Sequence, residues 1–345
     1  MRFSIAVNML RTGPDEDMRK VIAETLEMVK LADEGGFEVI WAAEHHCIEL
    51  TVAPNPFLLL THWAEHTSRA RLGTAVVVAP YWNPIRLAGE AALTDLYTDG
   101  RLELGIARGA FQYEFDRMAP GLRQELAGDH VTELVPAVQA LWAGDYAHEG
   151  KIWRFPKATS VPKPLQRPHP PIWIAARGQD TFDMAVRDGH HIMSTPLGRP
   201  FAEIGILADR LADAMSRHPD RPRPRWMVLR RACCYERPEQ WSVPIDAALE
   251  YSRRFEGLFG NRGTVENGFP RGVSGAEPPT TGDFSPQAMR ENLLFGTPEE
   301  LIEKLEGYRA AGVDQLCYGA DFGLEHGFAM RSLARFIERV MPHFA

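Results

Sequence analysis

Apolar residues in this chain fall into short continuous runs, each followed by a longer stretch in which apolar positions recur three and four residues apart. The first pattern marks a strand buried on both faces, and the second an amphipathic helix. Residues 2–8 read as the first strand and 15–34 as its helix, with Leu26, Val29 and Leu31 along the helix and Gly35-Gly36 as the stop signal. Residues 37–43 form the second strand, and Asn55-Pro56 opens a helix to 67, with Asn as N-cap and Pro at the first helical position. Strands three and four are 72–78 and 101–107, followed by a helix over 84–97 and another ending near Trp142. Residues 171–176 and 191–194 are strands five and six, feeding helices 181–188 and 201–216. Residues 226–235 and 314–319 are strands seven and eight, and 324–341 is the closing helix.

Eight strand–helix units at this spacing predict an α/β fold, a (β/α)8 TIM barrel with insertions, as one domain over 1–345. A doubly wound open sheet is the alternative, but no G-x-G-x-x-G follows the first strand to anchor it. Two stretches break the rhythm. Residues 143–170 are proline-rich and carry a hairpin over 146–155 with Glu149-Gly150 at its turn; residues 257–290 are rich in Gly, Pro, Asn and Thr without either period. Loops of that length are lids or disordered segments, and those that follow a strand's carboxyl end lie over a barrel's mouth.

Composition narrows the partners. The 345 residues, 45% hydrophobic and 24% charged, suffice for a full core, and the net charge of −8 comes without a Lys/Arg block. The densest basic stretch, 217–231, is broken by prolines. Nucleic acid and anionic membranes demand a basic face, so both are disfavoured as partners. No apolar run is long enough to span a bilayer, and Cys47, Cys233, Cys234 and Cys317 show no disulfide framework. The expectation is a cytoplasmic protein with reduced thiols.

Candidate chemistry sits at the carboxyl ends of the strands, where barrels place their active sites. The second strand ends in Glu44-His45-His46. Alone, that cluster reads sooner as a solvated turn or as core histidines satisfied by hydrogen bonds than as a catalytic site. With Cys47 it also reads as part of a metal site in a barrel hydrolase, but further ligands are not well placed. His190 and His191 stand at the start of the sixth strand, on the wrong face. The third strand carries Thr74, Ala75 and Val76, small enough for a flat ring to approach the backbone. The fourth ends in Arg108 beside Gly109. The fifth runs through Arg177, Gly178, Gln179, Asp180 and Thr181 into a helix N-terminus, an anion site by virtue of its free N–H groups and dipole. Arg108, Arg177 and those amides read as a phosphate cradle. For Arg177 alone, an ion pair with Asp180 or Asp183 explains it as well.

The chain resembles the bacterial luciferase-like family of flavin-dependent monooxygenases over nearly its whole length. The resemblance rests on the order and spacing of several segments, among them Gly36-Phe37 to Trp41, Glu44-His45-His46, Asn55-Pro56, Gly73-Thr74-Ala75 and Pro84-Ile85-Arg86. It continues through Gly100-Arg101-Leu102, Gly105 to Gly109, Phe295 to Glu300, and Ala311 to Asp314. The family fold is a (β/α)8 barrel. The resemblance implies a two-component enzyme that takes reduced FMN from a separate flavin reductase and uses oxygen, via a peroxyflavin, to oxygenate a small organic substrate.

By the same resemblance, His45 is the active-site histidine and Glu44 orients or tunes it. Ala75 and Val76 pack against the isoalloxazine, often through a non-prolyl cis peptide. Arg108 and the loop from Arg177 to Thr181 bind the phosphate, and the 257–290 loop is a mobile lid. Tyr81, Trp82, Phe111 and Tyr113 are candidate substrate walls. A homodimer is expected through the helices after strands two and three, where Ala88, Ala91, Ala92 and Leu93 make a small-residue face, although packing onto the barrel would give the same pattern. Light-emitting members carry a cysteine at Ala107, a tyrosine at Phe111, and an acidic residue and serine at Arg177 and Gly178, so light emission is not expected here. A deazaflavin-dependent hydride transferase and a non-catalytic flavin-binding paralogue remain the alternatives.

Overall fold

The computed structural model describes residues 1–259, 264–271 and 285–345. Eight parallel strands close into a barrel: β1 (Arg2–Ala6), β2 (Val39–Ala42), β3 (Arg71–Thr74), β4 (Leu102–Ala107), β5 (Ile172–Ala175), β6 (His191–Ser194), β7 (Trp226–Cys234) and β8 (Gln315–Gly319), with β8 paired back to β1. Each overlaps a strand expected from the sequence. Alternation along the strands divides the core in two. Ala6, Val39, Trp41, Trp173, Met193, Met227 and Cys317 fill the barrel interior. Their neighbours Ile5, Ile40, Leu72, Leu104, Ile174, Val228 and Leu316 face outward, under the helices. Trp41 and Trp173 meet edge to face with ring centroids 5.5 Å apart, and Gly73 leaves room for them: a Cβ there would fall 2.2 Å from the Trp41 ring.

The third strand differs from expectation in a way that shapes the site. The 72–78 run is broken by a cis Ala75–Val76 peptide, so β3 stops at Thr74 and a two-residue strand, Val77–Val78, pairs again with β4. Across the gap the Thr74 hydroxyl donates to Gly105 O at 2.8 Å and accepts from Gly105 N at 2.9 Å, replacing the missing ladder bonds. A Cβ on Gly105 would lie 2.1 Å from the Thr74 carbonyl oxygen, so only glycine allows this approach.

The two insertions lie at opposite ends of the barrel. The antiparallel hairpin Tyr146–Glu149 and Arg154–Ala158 belongs to a segment that follows a helix, Gly128–Ala143, and therefore sits at the N-terminal end. Its Gln166 bonds Arg71 and the Leu102 carbonyl, both at strand beginnings. The second insertion follows β7 and lies at the mouth. Its first part is a helix, Ser242–Phe259, and the described part of 257–290 holds a hairpin, Thr264–Glu266 with Phe269–Arg271, and a helix, Pro286–Asn292. Gly268 O in that hairpin accepts from Glu49 N at 2.6 Å, fastening it to the loop after β2. The remainder of the expected lid lies outside the described residues. An unforeseen three-residue strand, Leu294–Gly296, extends the sheet beside the end of β7.

At the N-terminal end the barrel is plugged by charge. Glu103, 1% exposed, accepts from Arg71 Nε at 2.5 Å and Trp173 Nε1 at 2.6 Å, with Arg225 at 3.5 Å. Arg225 also pairs with Glu38 at 2.9 Å.

Candidate active site

His45 is placed by main-chain pairing with Ala53, whose carbonyl accepts its N–H at 3.0 Å. Its side chain is oriented from another strand end. Glu114, on the helix Gln112–Met118 that follows β4, is 1% exposed. Glu114 Oε1 accepts from His45 Nδ1 at 3.0 Å and from His46 N at 2.7 Å, latching the loop after β2 to the helix after β4. A carboxylate on Nδ1 fixes the tautomer, so Nε2 is the ring nitrogen left to handle a proton. Burial disfavours the charged ring, but the Glu114 charge and hydrogen bond, with help from the Glu44 charge, outweigh it and hold the His45 pKa above its ordinary value.

Glu44 does not orient His45. Its buried carboxylate accepts from Val78 N at 2.7 Å and Trp82 Nε1 at 2.9 Å and bonds His46 Nε2 at 2.8 Å. It ties the loop after β2 to the segment Val78–Trp82 and reaches His45 only through its charge. Glu114 takes the orienting part of the role expected of Glu44, while Glu44 keeps the tuning part through its charge. No local spacing marked Glu114, because the partners stand 69 residues apart at the ends of different strands.

The four proposed aromatic walls separate. Phe111 packs on His45, ring centroids 5.2 Å apart, and Tyr113 lies nearby with Arg117 stacked on its ring at 3.5 Å. Trp82, 5% exposed, packs edge-on against Phe57 and donates to Glu44, and Phe111 is buried as well, 2% exposed. Tyr81 sits beside Trp82, its ring against His46 and Phe115 and its hydroxyl buried without a hydrogen-bond partner among the described residues.

Ala75 and Val76, on either side of the cis peptide, are partly exposed over the interior cluster. They form a small apolar shelf. Arg108 leaves β4 exposed, donating only to the Glu125 carbonyl at 3.3 Å, with no carboxylate at ion-pair distance among the described residues. Arg177 leaves the adjacent β5. Partial burial and the nearby Arg199 and Arg210 pull its pKa down despite Glu203. The alternative pairing with Asp183 does not form, since Asp183 faces Arg217 and His218. The helix Gln179–Asp188 is capped at Gly178, whose carbonyl accepts the amides of Thr181 and Phe182. The Thr181 amide is therefore already engaged, and Gln179 Nε2 is held by Arg210 O at 3.1 Å. The amides of Gln179 and Asp180 remain at the helix start. Arg108 and Arg177, with Glu203 of the neighbouring acids paired to Arg199 at 3.4 Å, close strands next to a small apolar shelf, an arrangement that suits a planar ring carrying an anionic tail. Among the described residues no three His, Cys, Asp or Glu side chains converge as a metal site would require.

The "Luciferase-like monooxygenase" family model matches residues 1–315. The chain is 39% identical to the oxygenase component of a flavin-dependent trigonelline monooxygenase from Acinetobacter baylyi, covering 100% of this chain and 96% of that one. It is 25% identical to an FMNH(2)-dependent dimethylsulfone monooxygenase from Pseudomonas putida, over 73% and 70% of the two chains. A crystal structure of a Streptomyces bottropensis monooxygenase superposes with a TM-score of 0.84 at 27% identity, with full coverage of both chains. With the family model, the end-to-end relative and the barrel in agreement, the chain belongs to the luciferase-like monooxygenase family.

Proposed function

We propose that this protein is the oxygenase component of a two-component flavin-dependent monooxygenase, which takes reduced FMN from a separate reductase and oxygenates a small organic substrate. The observation that carries it is that the Glu114-held His45 and the Ala75–Val76 shelf follow the paired strands β2 and β3 in a chain collinear with a flavin-dependent oxygenase component. The relatives' names specify flavin and FMNH(2), which favours FMN over a deazaflavin.

The residues present fit FMN. Arg108, Arg177 and the amides of Gln179 and Asp180 would hold its phosphate, and Ala75, Val76, Gly105 and Ala107 are small enough to admit its ring. When bound, reduced flavin supplies the electrons that activate oxygen. The protein supplies binding, orientation and proton control. His45 Nε2 holds or returns a proton at the reacting edge, with Glu114 supporting the charged form. Phe111 and the hairpin fastened to Glu49 keep water from that edge. Glu44 keeps the loop after β2 in place.

A homodimer through the helices Pro56–Ala64 and Pro84–Tyr97 fits the surface. Leu58 is 67% exposed and Tyr97 61%, with Leu93 and Leu96 between them, whereas Ala88, Ala91 and Ala92 are buried. No described helix is long and apolar enough to cross a membrane, and we place the enzyme in the cytoplasm as one barrel domain.

The test is turnover under 18O-labelled oxygen, with FMN, a flavin reductase and trigonelline as the first substrate. One labelled atom in the product is the expected result. Oxygen uptake that yields only hydrogen peroxide for every candidate substrate would sink the proposal.

A further inference from the structure

Carboxyl groups at the mouth are not provided for alike. Glu44 takes Val78 N and Trp82 Nε1 and bonds His46 Nε2, and Glu114 takes His45 Nδ1 and His46 N. Asp321, just beyond β8, takes one backbone N–H, that of Asn8, on Oδ2. Among the described residues its Oδ1 has no hydrogen bond, and no cation stands at ion-pair distance. Away from bulk water a carboxylate keeps its charge when several donors or a cation surround it. Glu44 and Glu114 are so equipped and Asp321 is not.

Asp321 nevertheless belongs to the mouth. Along each strand the interior face recurs at every second residue. That line runs past Cys317 to Asp321 on β8, past Ala6 to Asn8 on β1, and past Trp41 to Ala43 on β2. Asn8 Oδ1 accepts from Ala43 N at 3.3 Å, so bonds lead from Asp321 through Asn8 to the strand end that carries His45. Charged neighbours are turned elsewhere. Beyond β1, Arg11 pairs with Glu49; beyond β7, Arg231 lies over the Tyr251 ring and bonds Ser252. The Tyr251 hydroxyl, near enough to feel the Asp321 charge, bonds Arg231 and Thr51. Further along the chain, Glu325 caps the helix His326–Arg335.

Resting on the monooxygenase reading above, we propose that Asp321 is a second acid of the active site, its Oδ1 hydroxyl donating a hydrogen bond to an acceptor oxygen or nitrogen of the bound reactants. Oδ2 is occupied as an acceptor by Asn8 N, which leaves Oδ1 to carry the hydrogen. Burial, only partly offset by the Asn8 N–H, pushes the carboxyl up to about 8. The proton is therefore held at neutral pH and lost as pH rises through that value. With His45 held toward its charged form by Glu114, two donors then face the reactants, one from β2 and one from β8. The acceptor is a polar atom of the flavin or of the substrate, and the experiment separates the two.

The first readout needs no flavin. Infrared difference spectra from mildly acidic to mildly alkaline pH should show a protonated-carboxyl C=O band that disappears with a midpoint near 8, and Asp321→Asn should lack it. The second is the pH profile of two quantities: the delay before oxygen oxidises reduced FMN bound without substrate, and the labelled product of the 18O assay. One or both should fall about tenfold as the proton is lost, the scale of one hydrogen bond with a buried partner. Asp321→Ala should show the loss at every pH. Asp321→Asn should restore most of it and remove the inflection, because an amide oxygen can accept from Asn8 N while its NH2 donates as the hydroxyl did. A change in the delay assigns the acceptor to the flavin, and a change confined to product assigns it to the substrate. No titrating band, flat profiles in the native protein, or an Asn variant as impaired as Asp321→Ala overturns the proposal. A titrating band in a protein that oxidises bound FMN as fast as free FMN and forms no labelled product counts against the monooxygenase reading alone.

Discussion

The two ends of this barrel use the same residue types to opposite purposes. At the N-terminal end Arg71 and Arg225 converge on Glu103, and Arg225 reaches Glu38 as well. Charges there have partners within the chain. At the mouth Arg108 makes no ion pair among the described residues, and Arg177 faces other arginines. Three arginines there share the acid Glu203, which pairs with Arg199, and an excess of like charge opposes folding, so it points to an anion from outside. One end holds the fold together and the other is prepared for a ligand.

Substitutions at the two ends should separate stability from activity. The largest effect is expected from Glu103→Ala, which strands Arg71 and the Trp173 N–H, at a cost of about 3 kcal/mol. Chemical denaturation should show that loss, while the folded fraction keeps its FMN affinity. A loss well under 1 kcal/mol would remove the distinction between the ends. Next, His45→Ala should cut product formation about 100-fold, the usual scale for a general acid–base group. Stability should fall less than in Glu103→Ala, because Glu114 keeps its bond from His46 N, and the oxygen consumed should leave as hydrogen peroxide.

Smaller effects sharpen the picture at the mouth. Arg177→Gln should weaken FMN about tenfold, in keeping with one charge-assisted hydrogen bond, and leave riboflavin binding as it was. An equal loss for both flavins would place Arg177 away from the phosphate. Glu114→Gln bears on pH. In the native protein the carboxylate favours the imidazolium and raises the His45 pKa. Without that charge, burial dominates and the pKa falls, so the pH midpoint of activity should move to lower pH. A shift upward, or none, would show that another group titrates.

Much of the barrel was legible because strands buried on both faces are continuous apolar runs, as in Val39–Ala42 and Leu102–Ala107. The break in β3 was invisible to pattern alone, since peptide isomerism leaves no trace in hydrophobic periodicity; only the family resemblance pointed to it. Leu294–Gly296, three residues long, is too short to show a period. In the site, His45, Arg108 and Arg177 could be read because each closes a strand. Glu114 could not, since a lone acid on a seven-residue helix gains meaning only when the fold brings it to His45. For Glu44 only the tuning half of the expected role appears: adjacency in sequence suggested that it orients His45, whereas the backbone turn sends it to His46 and Trp82 and leaves its charge to act on His45.

The most direct measurement is stopped-flow oxidation of reduced FMN bound anaerobically to the protein, mixed with oxygenated buffer and followed in the flavin absorbance bands. Oxidised FMN should return after a lag and more slowly than it does free in solution, with His45→Ala shortening the delay and Glu103→Ala leaving it intact in the folded fraction. Oxidation of bound FMN as fast as that of free FMN would contradict a mouth built to control the reaction of flavin with oxygen.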